Sequence, residues 1–243
     1  MTGPNPPAPG WPWNEDVFRT RLFDALSILL PSGETFVVES VEQAASSLDH
    51  GSPQCATLRK EALRFVREEV SHQRAHRLYN ERLQLDGAPA RELEQRIAAA
   101  TRQLETRDLH TRLALATAFE QLTALISHEI LQGPAWLTGT AGRQADMWRW
   151  HCAEEIGHRH VTPCLLRAHR VAAWRRIACF VAATCLLFID VAGLVAALCA
   201  HDVRRGAVSR TTLLRQACRF AWRVSPSVVR MTGRWIGQLF VSR

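Results

Sequence analysis

Apolar positions recur at helical spacing along most of the chain, and no strand-like alternation persists. From Val17 to Leu30 one face is marked by Phe18, Leu22, Phe23, Leu26, Leu29 and Leu30. Pro31-Ser32-Gly33 is expected to stop that helix, with Ser32 capping a second one through Phe36, Val37 and Val41 to about Leu48. His50-Gly51-Ser52-Pro53 breaks the pattern, and a long helix follows from about Gln54 to Leu85. Asp86-Gly87-Ala88-Pro89 reads as a turn, residues 90–105 as a polar helix, and Arg107 to Leu131 as a strongly apolar one ended by Gly133-Pro134. A further helix is predicted from about Ala141 to Val161, ended or kinked by Pro163. The class is all-α.

Beyond residue 170 the pattern changes. Ile177 to Ala200 is 24 residues with one charge, Asp190. As a helix it spans about 36 Å, enough to cross a hydrocarbon core of about 30 Å. It predicts either a buried helix covering the bundle or a membrane contact, with Asp190 costing about 3 kcal/mol on insertion. Arg175, Arg176, Arg204 and Arg205 flank it, and the Arg-rich stretch after it carries Trp222 and Trp235. At the other end, the Pro-rich residues 1–16 read as a flexible tail without the apolar stretch of a signal peptide. The expected organisation is a tail at 1–16, a bundle at 17–170, and an apolar, Arg-rich helical region at 171–243.

Charge sharpens that division. The chain has 243 residues and a net charge of +7. Residues 167–243 hold 13 Arg against Asp190 and Asp202, or +11, which leaves 7 − 11 = −4 for the remainder. If the C-terminal region contacts a membrane instead of packing on the bundle, its arginines would face an anionic membrane surface. Nucleic acid is disfavoured, because no recognition motif accompanies the charge. The seven Cys form no CxxC pair and read as reduced residues of a cytoplasmic protein, with attachment to the inner face of the membrane left open.

The chemistry lies in a repeated array. Walker, GxSxG, HExxH and GxGxxG motifs are absent, but Glu-x-x-His occurs twice, as Glu69/His72 and Glu155/His158, offset by 155 − 69 = 86. Thirty-five residues before each Glu stands another, Glu34 and Glu120, again 120 − 34 = 86 apart. With 15 Glu and 10 His, about 0.6 such Glu-His pairs are expected by chance, and the matched upstream Glu reduces that sharply. Two metal ions about 3.5–4 Å apart need bridging and terminal carboxylates and a nitrogen ligand each. A four-helix bundle supplies them as one Glu from each of two helices and Glu-x-x-His from each of the others. Glu34, Glu69, His72, Glu120, Glu155 and His158 are thus the predicted ligands of two ions, iron first, with manganese or zinc as alternatives.

Glu68 and Glu154 share the same offset and compete with Glu69 and Glu155 for the ligand role; the Glu-x-x-His geometry favours the latter pair. His76 is seven residues after Glu69 and His151 four before Glu155, about 20° and 40° from them around the helix. Both are candidates for a third nitrogen ligand, a supporting donor or a catalytic proton carrier. His160 points away from this face, and Trp148 and Trp150 read as packing residues.

The segments LSILLPSGETFVVESV (26–41), EEVSHQRAHRLYN (68–80), LALATAFEQLTALI (113–126) and WRWHCAEEIGHRHV (148–161) resemble the bacterial family of predicted metal-dependent hydrolases, over about residues 20–200. Its ligand pattern is similar to that of ferritin-like di-iron proteins, which implies a ferritin-like four-helix bundle with additional C-terminal helices. Thr162-Pro163 departs from the pattern, where a continued helix with apolar and acidic residues is expected. Such a site has two chemistries: with iron it activates O2 to oxidise a small organic substrate, and with zinc or manganese it forms a bridging hydroxide that hydrolyses an ester or amide. The carboxylate-rich donor set favours the di-iron oxidase or oxygenase here, with the metal-dependent hydrolase second and non-catalytic metal binding third. Assembly as a homodimer is left open.

Overall fold

The computed structural model describes residues 11–137, 139–158 and 160–241, and among these it holds eight helices and no strand. They are α1 (Val17–Ser46), α2 (Pro53–Leu85), α3 (Ala90–Glu105), α4 (Leu109–Gln132), α5 (Arg143–His158), α6 (Val161–Ala168), α7 (Ala173–Arg204) and α8 (Arg210–Val241). Side-chain caps start three of them. Asp16 accepts from the Arg19 amide, Ser52 from Cys55 and Asp108 from Thr111, each satisfying an orphan N–H of the first turn. α4 stops at Gly133, where a β-carbon would sit 2.6 Å from the Glu129 carbonyl and 2.7 Å from Trp136.

Two expectations are corrected. The predicted stop at Pro31 is absent, and α1 runs unbroken for 30 residues. Pro31 deprives the Ser27 carbonyl of its i+4 donor, and Asn80 of α2 supplies one from Nδ2 at 2.9 Å. The orphan that would have ended the helix is satisfied by a neighbouring helix, so packing carries α1 through. The helix predicted to reach Val161 instead ends at His158, one turn before Pro163, which lies in the first turn of α6, where its missing N–H costs nothing.

The tail also differs. Residues 1–10 lie outside the described residues, but from Trp11 the chain is packed. Trp13 meets Phe23 edge-on at 5.5 Å, and the Arg21 guanidinium lies 5.3 Å from the centre of the Trp11 ring. Both tryptophans are half-buried against these neighbours.

α1, α2, α4 and α5 surround the predicted site, and three apolar clusters hold them. Phe36, Val41, Phe65, Leu113 and Leu165 form one side, Phe23, Trp148, Cys152 and Phe220 the opposite side, and Ile28, Leu93, Ile97 and Leu198 a third cluster that joins α1 to α3 and α7. α7 is long and apolar enough to cross a membrane by length and composition. It also packs on the bundle, and at its end Asp202 takes a bidentate bond from Arg21 of α1, at 2.6 and 2.8 Å. α8 lies against the same body through Trp235, which donates to Thr184 at 2.9 Å, and through Arg230, which bonds Glu129 at 2.6 Å. Part of the C-terminal positive charge is thus engaged within the chain.

Candidate metal centre

The spacing of the two arrays brings their side chains to one buried place. Glu34 comes from α1, Glu69 and His72 from α2, Glu120 from α4, and Glu155 and His158 from α5; all six are buried. Two sets of donor atoms converge there. One atom each of Glu34, His72, His151 and Glu155 lie within 4.8 Å of one another, as do atoms of Glu69, His72, Glu155 and His158. His72 and Glu155 belong to both sets. Glu120 joins neither, but lies close enough that the charges of Glu69, Glu155 and Glu34 act on it.

The imidazoles cross between the halves. His72 turns Nδ1 to Glu155 at 3.2 Å and to Glu69 at 3.8 Å, while His158 turns Nδ1 to Glu69 at 2.5 Å and to Glu155 at 4.0 Å. Their outer nitrogens meet the two glutamates that competed for the ligand role. His72 Nε2 lies 2.9 Å from Glu154 and His158 Nε2 3.1 Å from Glu68. The 69/68 and 155/154 ambiguity thus resolves into two positions: Glu69 and Glu155 inside, Glu68 and Glu154 at the rim holding the rings. A carboxylate that accepts Nε2–H leaves the Nδ1 lone pair facing inward, the tautomer a metal ligand needs.

These donors fit a pair of cations. Both oxygens of Glu34, both of Glu69, and the Nδ1 atoms of His72, His158 and His151 are buried without a hydrogen-bond partner. The imidazole nitrogens and carboxylate oxygens lie as close as 2.5 to 3.2 Å, a spacing that a positive charge between them, proton or metal, would satisfy. Four buried carboxylates would cost several kcal/mol each in desolvation and repulsion without positive charge between them.

In the protein alone, protons supply that charge. Burial, with the repulsion of neighbouring carboxylates, pushes Glu34 and Glu120 well above the carboxylate range. Burial disfavours the charged His72 ring, but Glu155 and Glu69 outweigh it and hold the imidazole up to about 11. His158 is raised by Glu69 and Glu155 against the same burial penalty. Burial would also raise Glu69, yet His158 and His72 keep it low.

His151, a candidate proton carrier from its spacing, belongs to the first donor set. His76 sits one layer behind, its ring 4.8 Å from that of His151 and 5.0 Å from Trp148. Burial and the neighbouring His72 push it down to about 3, so it is neutral. Ser27 Oγ donates to Asn80 Oδ1 at 2.8 Å, so its 2.9 Å bond to His76 requires Nδ1–H as donor. That leaves His76 Nε2 as a buried lone pair with no partner. His160 is exposed at the start of α6, away from the cluster.

Three residues here escaped sequence reasoning. Thr123 donates to Glu155 Oε2 at 2.8 Å, and Ser27 and Asn80 set the tautomer of His76. Thr123 gives a faint signal, a polar residue one turn from Glu120 on an apolar helix, whereas Ser27 and Asn80 give none.

Among curated proteins and solved structures nothing matches the chain. The family model for predicted metal-dependent hydrolases matches residues 5–241, a span that includes all four site helices and both C-terminal ones. Buried, convergent Glu and His donors are what a metal-dependent activity requires, and by this match the chain belongs to the family of predicted metal-dependent hydrolases.

Proposed function

We propose that this chain is a hydrolase that uses two metal ions to cleave an ester or amide of a small organic substrate. The observation that carries the reading is the set of buried nitrogen and carboxylate atoms from α1, α2 and α5 that approach within 4.8 Å of one another. Glu34, His151 and Glu155 would hold one ion, and Glu69, Glu155 and His158 the other, with the single inward lone pair of His72 serving one of the two. Bound there, a metal pair supplies Lewis acidity to a carbonyl and a nucleophilic oxygen at neutral pH. Iron suits the carboxylate-rich donors best, with manganese or zinc as alternatives.

The chain's own residues do the rest. Glu68 and Glu154 fix the tautomers of His158 and His72, and Thr123 fixes the Glu155 carboxylate. Glu120, on the wall beside the donor sets, has Oε2 buried and unpartnered, and it places a protonatable oxygen beside the reacting group. The free Nε2 of His76 lies behind His151 and stays unprotonated, so this ring packs behind the donors without touching substrate.

Oxidation by O2 is the second reading, favoured by the high carboxylate content of the donor set. The family match backs hydrolysis instead. The test is to strip the protein with chelator, reload it with Mn(II), Zn(II) or Fe(II), and assay cleavage of p-nitrophenyl esters and anilides. Metal-dependent cleavage that disappears in Glu155→Gln is expected. Inertness toward every ester and anilide, with an O2-dependent absorption transient in the Fe(II)-loaded protein, would overturn hydrolysis in favour of oxidation.

A further inference from the structure

A cavity of about 120 Å³ runs from the cluster between α1, α3, α4 and α7. Its inner wall is Glu34, Glu120, His151 and Glu155, and its outer wall includes Leu186 and Leu187 of α7 and the exposed Ala100 of α3. Glu69, His72 and His158 do not line it. Between the two ends the surface is almost wholly aliphatic and aromatic, with Leu26, Leu30, Phe36, Ile126 and Ile130 among its walls.

Gly33 opens the inner end. It stands one residue before Glu34, and a β-carbon there would meet nothing within 4 Å. At the equivalent place in the second array, 33 + 86 = 119, the residue is Phe119, whose ring packs edge-on against Phe36 at 6.1 Å. The same position is therefore filled beside Glu120 and open beside Glu34.

We infer that the substrate of this site is an acyl derivative with an unbranched aliphatic chain, its carbonyl at the Glu34–His151–Glu155 donor set and its tail running outward to α7. The inference rests on the hydrolytic reading for the carbonyl end and on the channel alone for the tail. The cavity is well below the 300–1,000 Å³ of ordinary ligand pockets yet touches five helices, α5 included, so it is narrow and suits a chain rather than a ring system. Its outer end reaches the surface at Leu186 of α7, which is 37% exposed, beside Asp190, the one charged residue of α7 among its walls. A hydrocarbon chain can enter over Leu186 and Leu187, with Asp190 at the edge of the mouth.

The test uses the metal-free full chain and n-alkanols from butanol to decanol, titrated by calorimetry. Affinity should rise about fourfold per added methylene until the chain fills the channel. Gly33→Phe, which copies the second array, and Ala100→Trp at the outer end should each lower octanol affinity at least tenfold, with helical content unchanged. Ala100 lies on α3, which supplies no donor atom, so that variant should keep its metal content. Repeating the titration with decanol dissolved in phosphatidylcholine vesicles separates uptake from a bilayer from uptake from water; dependence on an open channel supports the inference in either case. Affinity independent of chain length, or full affinity in a folded Ala100→Trp variant, would overturn it. Because alcohol binding needs no metal, it can succeed while ester cleavage fails, and the two readings fall separately.

Discussion

The α1–α2 and α4–α5 halves of the centre carry the same donors and surround them differently. At an offset of 86 residues, Glu34, Glu68, Glu69 and His72 map onto Glu120, Glu154, Glu155 and His158. At the same offset Pro31 maps onto Thr117, Gly33 onto Phe119, Phe65 onto His151 and His76 onto Thr162. The exchanged residues all lie around the donors. As a result the His72 ring is enclosed by His151 at 4.7 Å and Trp150 at 5.0 Å, whereas His158 faces Phe65 at 5.0 Å. Each donor set has two carboxylates and two imidazoles, but the place at Glu34 and His151 is open to the channel, whereas the place at Glu69 and His158 lies off it against an apolar ring. Repetition provides the cation pair, and its local failures give the pair a direction.

The largest effects should come from the residues the two halves share. Glu155→Gln removes the carboxylate common to both sets, so metal content should fall from two ions per chain toward none, and hydrolysis by at least about a thousandfold. Glu34→Gln, His72→Ala and His158→Ala each remove a donor to a single ion and should leave one ion bound. Elemental analysis of the purified variants checks this, and equal stoichiometry across all four would break the two-place division.

Next in size is the exchange that distinguishes the places. His151→Phe gives the first place the apolar neighbour of the second and should weaken one ion by about a hundredfold with the other unchanged, read by metal titration against a chelating dye. Phe65→His should do the reverse and bring the two affinities together. If both variants titrate like the parent protein, His151 is a packing residue.

The helical framework and the donor array were legible in the sequence because both are periodic. Glu34, Glu69 and His158 announce themselves by spacing, and the long apolar helices by their stripes. What was not legible depends on residues distant in the chain. Pro31 reads as a stop because the donor for the Ser27 carbonyl is Asn80, on another helix. The different roles of Glu68 and Glu69 follow from facing the rim or the interior, a distinction that spacing alone left open. The channel arises from α3 and α7 closing over Gly33, and no local pattern encodes that meeting.

A smaller effect is set by pH. Glu34, Glu120, His72 and His158 all bind their protons more tightly folded than unfolded. The carboxyl contributions to metal-free stability are complete below about pH 4.3 and those of the imidazoles below about 6.5; each declines as pH rises toward the folded value. His76 and His151 are held low, so their opposing effect ends by about pH 6.5. Above that only declining contributions remain. The metal-free protein should lose several degrees of melting temperature between pH 7 and 10, and His72→Gln should remove the part that continues to about 11. Metal must displace these same protons, so the gain in melting temperature on loading should widen over that range. A gap independent of pH would mean that the protons and the ions do not share sites.

The smallest effect separates the halves most cleanly. Glu154 and Glu68 are 38% and 32% exposed at the rim and hold His72 and His158 through Nε2. Glutamine at either position keeps the volume and can still accept from Nε2–H, but it loses the negative charge that makes the imidazole a stronger donor to metal. Each substitution should cost about tenfold in affinity. Each effect should be local, because each ring offers one inward lone pair and so serves one ion. Glu154→Gln should therefore weaken the ion held by His72, and Glu68→Gln the ion held by His158, with solvent screening keeping either change from disturbing the fold. Equal effects of the two substitutions on both ions would show that the rim charges act on the centre as a whole and not through the rings they hold.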